Sequence, residues 1–517
     1  MKSPTQFRMS AGLGQAQIEA VLARRYTFSV ESPSSQAWCI YDTFDRRLFA
    51  QSLTLQWSGS ELVLLTLPNG EIIHQQPLST PPRFAVTMPE GDFRAQLSPI
   101  IQMRALLQLS VIHSWSCQYR ILNKAEKTVA RLIYTELRPE ANDQENPLFT
   151  YLIVCPFRGY AKQAGRLASY LRGNLDLTPT KEEIHHTAFQ AKRQGPSAYS
   201  GKLDVYLHPN MPAGEATRLI LRRLLEMMRA NEAGLKADID SEFLHDYRIA
   251  VRRTRSALSQ IRKVLPKART DNFKQEFRTL GRLTNDLRDL DVYLLAEADY
   301  RAVLPTNMQE DITPLFDELR SRRFQALANV VAGLESEAYI RLIKQWNKFL
   351  HEPAGKNDAE KATIPIIDLA RKELTRQYRT IVKDGNTILK HTEDELLHAL
   401  RIECKKLRYL LEFFSSLFPP KEISRVNKQL KGLQNNLGTF TDSTLQREYL
   451  LAVAGTLDID ESLARQALVA TGYLVETTDR KREEAKSQFA ATFKEFASPG
   501  HQKEFRRVFT KGKKVKS

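Results

Sequence analysis

The stretch Leu244–Leu258, LHDYRIAVRRTRSAL, brings His245, Arg248, Arg252, Arg253 and Arg255 close together. Guanidinium and imidazole donors repeated at helical spacing suit oxyanions, which accept charge-assisted hydrogen bonds. On a helical wheel Tyr247, Val251, Thr254, Leu258, Ile261 and Leu265 make an apolar stripe. His245, Arg248, Arg252, Arg255 and Arg262 make a second, basic stripe beside it. One turn separates successive cations, a rise of about 5–6 Å, which lets them engage every second or third phosphate of an extended chain. Like charges at this spacing destabilise a helix by about 0.2–0.5 kcal/mol per pair, and the stripe holds few carboxylates to relieve them. The competing reading is an ordinary solvated helix face.

The same pattern returns without gaps 153 residues later, where LHALRIECKKLRYLLEFFSSLFP lies over LHDYRIAVRRTRSALSQIRKVLP. His245 falls on His398, Arg248 on Arg401, Arg252 on Lys405, Arg253 on Lys406 and Arg255 on Arg408. Asp289 falls on Asp442 at the same offset. Leu400, Cys404, Leu407, Leu411, Phe414 and Phe418 supply the apolar stripe of the second copy. Self-similarity of this kind predicts two related helical subdomains about a pseudo-twofold axis. It also weighs against a metal at His245–Asp246: His398 is followed by Ala399, and no further His, Asp or Glu cluster has ligand spacing. The histidine is better suited to donate to an oxyanion beside the free N–H groups of a helix start. The alternative is a histidine that caps its own helix.

The elements that must position these residues follow from composition and periodicity. The 517 residues include 76 Lys+Arg and 60 Asp+Glu, for a net charge of +16, which favours polyanionic partners. Hydrophobic residues make up 42%, enough for packed cores. The widely spaced Cys39, Cys117, Cys155 and Cys404 suggest neither a disulfide framework nor a metal site. No apolar run approaches the roughly 18 residues of a membrane span, and the N-terminus has no signal-peptide core. A soluble cytoplasmic protein is expected.

Residues 26–160 read as short strands, among them YTFSVES, SLTLQW, ELVLLTL, EIIHQQ, FAVTM, LSVIHSWSCQYRIL and LFTYLIV. Helical spacing marks Gln15–Tyr26 and residues 160–176. The Gly-, Pro- and Ser-rich stretch Gln190–Gly214 marks a boundary. Beyond it the period becomes helical, and about eight to ten helices are expected. The expected fold class is an α+β domain with an antiparallel barrel or tunnel, followed by an all-α bundle with a twofold internal repeat. The domains are placed at 1–190 and 214–508, the latter with repeats about 214–365 and 366–508. A linker (191–213) joins them and a basic tail (509–517) follows; the wider end His501–Ser517 reads as solvated and frayed.

These motifs carry a resemblance. LHDYRIAVRRTRSAL with LTNDLRDLDVYL (Leu283–Leu294) resembles the first half of the CHAD family, the conserved-histidine α-helical domain. LHALRIECKKLRYLLEFF with LKGLQNNLGTFTD (Leu430–Asp442) resembles its second half. The resemblance covers about residues 214–508 and implies a helical bundle with a basic surface or pore. It further implies binding of inorganic polyphosphate, often at polyphosphate granules. The implied polyphosphate-binding residues are His245, Arg248, Arg252, Arg253, Arg255, His398, Arg401, Lys405, Lys406 and Arg408. Asp289 and Asp442 match acidic positions that would pair with the basic ladder and hold it.

In the first half, IYDTFDRRLFAQSLTLQW (Ile40–Trp57) resembles a segment of the CYTH family, the triphosphate tunnel fold. That resemblance implies an antiparallel barrel in which glutamates of an ExExK motif bind metal and strand Arg and Lys hold triphosphate. Here TQFRMSA (Thr5–Ala11) stands in place of ExExK, and LTLQW brings Gln56 and Trp57 where basic strand residues belong. LFTYLIVCPFRGY (Leu148–Tyr160) has no glutamate. Two divalent metals need several hard carboxylate oxygens, so no metal or other cofactor and no catalysis are expected from a degenerate tunnel domain. Arg46, Arg47, Arg104, Arg120 and Arg158 are assigned no role. The leading expectation is an inorganic polyphosphate-binding protein; the alternatives are a triphosphatase and a non-specific nucleic-acid binder. No signature of sequence-specific nucleic-acid recognition is present.

Overall fold

The structure, a computed structural model, describes residues 4–138, 147–192, 199–352, 359–456 and 462–510. The chain divides into two compact units, Met1–Tyr199 and Ser200–Ser517.

The first unit is built on one antiparallel sheet. Its strands are β1 (Thr5–Met9), β2 (Thr27–Val30), β3 (Ser34–Asp42), β4 (Leu53–Trp57), β5 (Glu61–Thr66), β6 (Ile72–Pro77), β7 (Leu107–Leu122), β8 (Thr128–Arg138), β9 (Phe149–Pro156) and β10 (Leu177–Thr180). The order is β10-β1-β9-β8-β7-β3-β4-β5-β6, with β2 also on β7. Helices α1 (Gln15–Ala23), α2 (Arg47–Ala50), α3 (Asp92–Ile101), α4 (Ala161–Asn174) and α5 (Ile184–Lys192) accompany it. Alternating apolar residues bury one face of each strand. Leu132 and Tyr134 of β8, with Leu152 and Val154 of β9, pack with Leu167 and Leu171 of α4. Leu55, Leu62 and Leu64 of β4 and β5 pack with Phe93 and Leu97 of α3. The residues standing where an acidic strand motif was sought do form a strand, β1, which pairs with β9 and β10.

One expected strand is absent. FAVTM (Phe84–Met88) contains a 3₁₀ turn, Ala85–Thr87, with Ala85 and Met88 buried. Pro81, Pro82 and Pro89 flank it and withhold the backbone donors that a paired strand would need.

The second unit is helical: α6 (Ala213–Lys236), α7 (Ser241–Gln260), α8 (Lys267–Leu283), α9 (Asn285–Leu295), α10 (Glu297–Val303), α11 (Thr313–Glu335), α12 (Glu337–His351), α13 (Ile366–Ile388), α14 (Asp394–Phe413), α15 (Pro420–Ala454), α16 (Ser462–Phe496) and α17 (Pro499–Phe509). These outnumber the expected helices because breaks at Thr284, Ala296 and Ser336 carry no Gly or Pro signal. Prolines do mark other starts: Pro212, Pro266, Pro365 and Pro419 stand at the N-caps of α6, α8, α13 and α15.

The starts of α6 and α13 are tied reciprocally. Ala213 N–H donates to the Ile364 carbonyl at 2.9 Å, and Ile366 N–H donates to the Met211 carbonyl at 2.9 Å. The two donors lie 153 positions apart, as do the two acceptors. All twelve residues of the two expected apolar stripes are buried. Among the described residues no helix is long and apolar enough to cross a membrane.

The end of the chain departs from the expectation of a frayed tail. Residues 501–509 belong to α17, whose Phe505 and Phe509 are buried. Phe505 stacks on Tyr378 of α13 with centroids 3.9 Å apart. The i,i+4 aromatic pair anchors the helix, and its arginines face outward from that stripe. Residues 511–517 and 193–198, from the expected tail and linker, lie outside the described residues.

Candidate functional site

The apolar stripe of α7 sets the direction of its arginines. With Tyr247, Val251 and Thr254 buried, Arg248, Arg252 and Arg255 emerge along one edge of the helix. Arg248 is held by neutral acceptors: its Nη1 donates to Thr284 Oγ1 at 2.7 Å and the Gly281 carbonyl at 3.2 Å, and its Nη2 to Asn285 Oδ1 at 3.0 Å. These bonds orient the guanidinium without neutralising it. Burial chiefly, with the charges of Arg252, Arg288 and Arg255 behind it and Asp289 opposing, lowers its pKa to about 10. Burial and the charges of Arg278, Arg282 and Arg252 likewise push Arg255 down.

The α14 ladder meets the same charges. Lys405 is lowered to about 8 by burial, then by Arg401, Arg252 and Arg408, against the pull of Asp442. Arg252 therefore acts on both ladders. Its guanidinium lies 5.9 Å from the centre of the Tyr409 ring, and that of Arg408 lies 5.2 Å from the same ring. A buried tyrosine on α14 thus gathers one cation from each ladder over its π system. Among the described residues Arg252, Arg255, Arg278, Arg282 and Lys405 form no ion pair with a carboxylate.

Other residues singled out from the sequence are placed differently. Arg253 leaves the group: its Nε donates to Glu412 at 2.8 Å and its Nη1 to the Gly201 carbonyl at 3.2 Å. Lys406 is bound to Glu403 at 2.5 Å. Both cations are neutralised within the bundle. Arg401 keeps its place by pairing with Asp442 at 2.9 Å. Asp289 acts on Arg248 through its charge; the hydrogen bonds of Arg248 go to Gly281, Thr284 and Asn285 instead.

His245 does not stand at a free helix end, whereas the N-cap of α14, Glu393, makes no side-chain capping bond. Asp240 caps α7, accepting from Glu242 N–H at 2.9 Å and Phe243 N–H at 3.3 Å. His245, half-buried, lies one turn further in. His398 is exposed on α14, whose first turn carries Asp394 and Glu395. The expectation of an anion held by His245 and free terminal amides is therefore corrected, because a carboxylate already takes those amides.

Sequence reasoning missed Arg278, Arg282 and Arg288, which add α8 and α9 to the basic face. The counterparts of Arg282 and Arg288 153 residues on are Asn435 and Thr441, so a search for what both copies share passes over those two; Arg278 falls on Lys431 and the repeat does keep its charge. The i,i+4 spacing of Arg278 and Arg282 was the available signal.

Among the described residues of the first unit the donor set does not fit a pair of divalent metals. β1 offers Gln6 and Arg8, β4 offers Gln56, and β9 offers no carboxylate. Asp42, in the YDT segment, is buried, and its carboxylate accepts from the N–H groups of Thr43, Leu48 and Phe49 at 2.7, 3.0 and 3.1 Å. It holds the start of α2. Glu136 is occupied by Tyr134 and Arg138, and Glu182 by Tyr151. Among the described residues no group of three or more His, Cys, Asp or Glu could hold a metal ion.

Comparison with known proteins adds a family to this geometry. Residues 219–451 match the model of the CHAD domain. The uncharacterized proteins MT2285 and Rv2226 of Mycobacterium tuberculosis are each 24% identical over 250 residues, 48% of this chain and 47% of theirs. The chain thus spans about half the length of the curated relatives it matches. Among solved structures, the CHAD domain from the plant Ricinus communis aligns at a TM-score of 0.48 and 23% identity, covering 58% of this chain and 97% of that one. PptA from Streptomyces chartreusis aligns at 0.44 and 15%, covering 55% and 99%. HpAC1 from Hippeastrum, whose structure is described as revealing a dominant triphosphatase activity, aligns at 0.28 and 12%, covering 38% and 99%. The helical unit of this chain carries a CHAD domain over residues 219–451.

Proposed function

We propose that the helical unit binds inorganic polyphosphate along the basic face formed by α7, α8 and α14. The observation that carries the reading is the convergence of Arg252, Arg255, Arg278, Arg282 and Lys405 with no ion pair to a carboxylate among the described residues. Cations that depress one another's pKa values mark a region of positive potential, and a polyanion relieves that repulsion on binding. Spacing along the helices suits a linear chain of phosphates, and polyphosphate association is what the CHAD resemblance implies. The reciprocal bonds at positions 153 apart support reading the unit as two related halves sharing one ligand. The first unit serves as a non-catalytic companion domain, and association with polyphosphate granules follows from the same ligand.

The test is titration of the purified chain with long-chain polyphosphate, tripolyphosphate and duplex DNA at physiological salt. Tightest binding of the long polyphosphate is expected. Equal or tighter binding of DNA would replace this reading with that of a general nucleic-acid binder.

A further inference from the structure

A second basic groove lies on α13, away from the residues assigned above. It measures about 780 Å³ and is lined by Arg371, Lys372, Arg376, Arg379 and Lys383, with Phe509 and Thr510 at the end of α17. Among the described residues Asp368 is the one carboxylate in its lining. Lys372, Arg379 and Lys383 are exposed and form no ion pair among the described residues. Arg376 is shared with Glu373 at 2.6 Å. Arg371 Nε is closed off from solvent and donates to no acceptor, which costs free energy unless a ligand supplies one. Thr375 and Thr380 add hydroxyls to the same wall.

The groove along α6 provides an internal control. That helix starts 153 positions before α13, and its groove is of similar size, about 740 Å³. There, among the described residues, three carboxylates, Glu226, Glu232 and Glu335, stand against the four cations Arg222, Arg229, Lys236 and Lys344, and two of the cations are paired: Arg229 with Glu232 at 2.7 Å and Lys236 with Glu335 at 3.0 Å. Similar helices in one unit thus carry one groove whose described lining sets three carboxylates against four cations and one that sets a single carboxylate against five. Ordinary solubility does not require concentrating five cations around one cleft.

We propose that the α13 groove is a separate binding site for a compact anion bearing several closely spaced phosphates. Arg371 to Lys383 spans about 18 Å of helix, and the groove volume falls in the range of small-ligand sites. Two sources share this chemistry, a short phosphate chain and a phosphorylated cyclic polyol. The inference stands on the groove alone and does not rest on the reading of the α7–α14 face.

The test uses calorimetric titration of the full chain with tripolyphosphate and, separately, with inositol hexakisphosphate at physiological salt. One variant carries Arg379→Ala and Lys383→Ala; the other carries Arg252→Ala and Arg255→Ala. Circular dichroism checks folding; the exposed groove substitutions leave the core untouched. The groove variant is expected to lose at least about tenfold in affinity for the compact anion, while the ladder variant stays close to the native value. Whichever of the two anions binds identifies the source. Native affinity in the groove variant, equal losses in both variants, or no binding of either anion by the native chain would overturn the proposal. Loss of long-chain polyphosphate binding in the ladder variant alone tests the other face and leaves this outcome readable.

Discussion

Lys405 is the residue at which the basic face can be read by titration. Its pKa of about 8, against an ordinary 10.5, comes from burial and from Arg401, Arg252 and Arg408. A bound polyanion favours the charged ammonium and raises the pKa in the complex, so binding near pH 8 takes up a proton. Affinity is therefore fully present below pH 8 and is lost as pH rises toward the pKa of the complex. If the complex restores an ordinary lysine pKa, binding at pH 9 should be about tenfold weaker than at pH 7. Lys405→Arg, which does not titrate in this range, should flatten the profile. A flat profile in the native chain would remove Lys405 from the site. The sequence showed which stripe was apolar and which basic, because the helical period depends on local spacing alone. It could not show that Arg253 is neutralised, since Glu412 reaches it from another helix. The Glu403–Lys406 pair, three residues apart on one helix, was visible in principle.

At the scale of elements, α7 and α14 act as two rails whose charges meet at Arg252 and Tyr409. Arg252→Ala with Arg255→Ala, and separately Lys405→Ala with Arg408→Ala, should each weaken polyphosphate binding at least about tenfold. The quadruple variant should depart from additivity, because the pairs share Arg252's field. Unchanged affinity in folded variants would return both stripes to solvated helix faces. Packing of the rails depends on close approaches elsewhere in the bundle. Gly385 of α13 lies where an added Cβ would collide with the buried ring of Phe493 on α16. Gly385→Ala should therefore destabilise by about 1–3 kcal/mol, although alanine is the better helix former by about 1 kcal/mol. Urea denaturation measures the difference, and equal or higher stability would show that α16 moves aside. The helices were legible where apolar residues recur each turn and prolines mark starts. The breaks at Thr284 and Ala296, and the contact that requires Gly385, arise from tertiary packing and have no local signal. The strand error at Phe84–Met88 has the opposite origin, since β-prone residues there were read without the surrounding prolines.

At the scale of the whole molecule, the first unit bears on catalysis and the net charge on binding. Metal-assisted attack on a phosphoanhydride needs carboxylates to hold the ion, and those on the described strands, Asp42, Glu61 and Glu136, are engaged in internal bonds. Stringently purified protein should therefore release no phosphate from tripolyphosphate with Mg²⁺ or Mn²⁺; sustained metal-dependent turnover would establish a triphosphatase. The charge of +16 predicts how binding responds to salt. A linear polyanion carries condensed counterions, and each cation that neutralises a phosphate releases some of them. Log affinity should then fall linearly with log salt, by roughly 0.7–0.9 per phosphate neutralised if polyphosphate follows nucleic acids. Removing Arg252 and Arg255 should make the slope shallower by one to two such increments, whereas substitutions at the internally paired Arg253 should lower stability and leave the slope unchanged. Titrations from low to physiological salt, run on all three proteins, separate these cases. A slope insensitive to Arg252 and Arg255 would mean that the general positive charge of the molecule, and no built ladder, draws the polyanion.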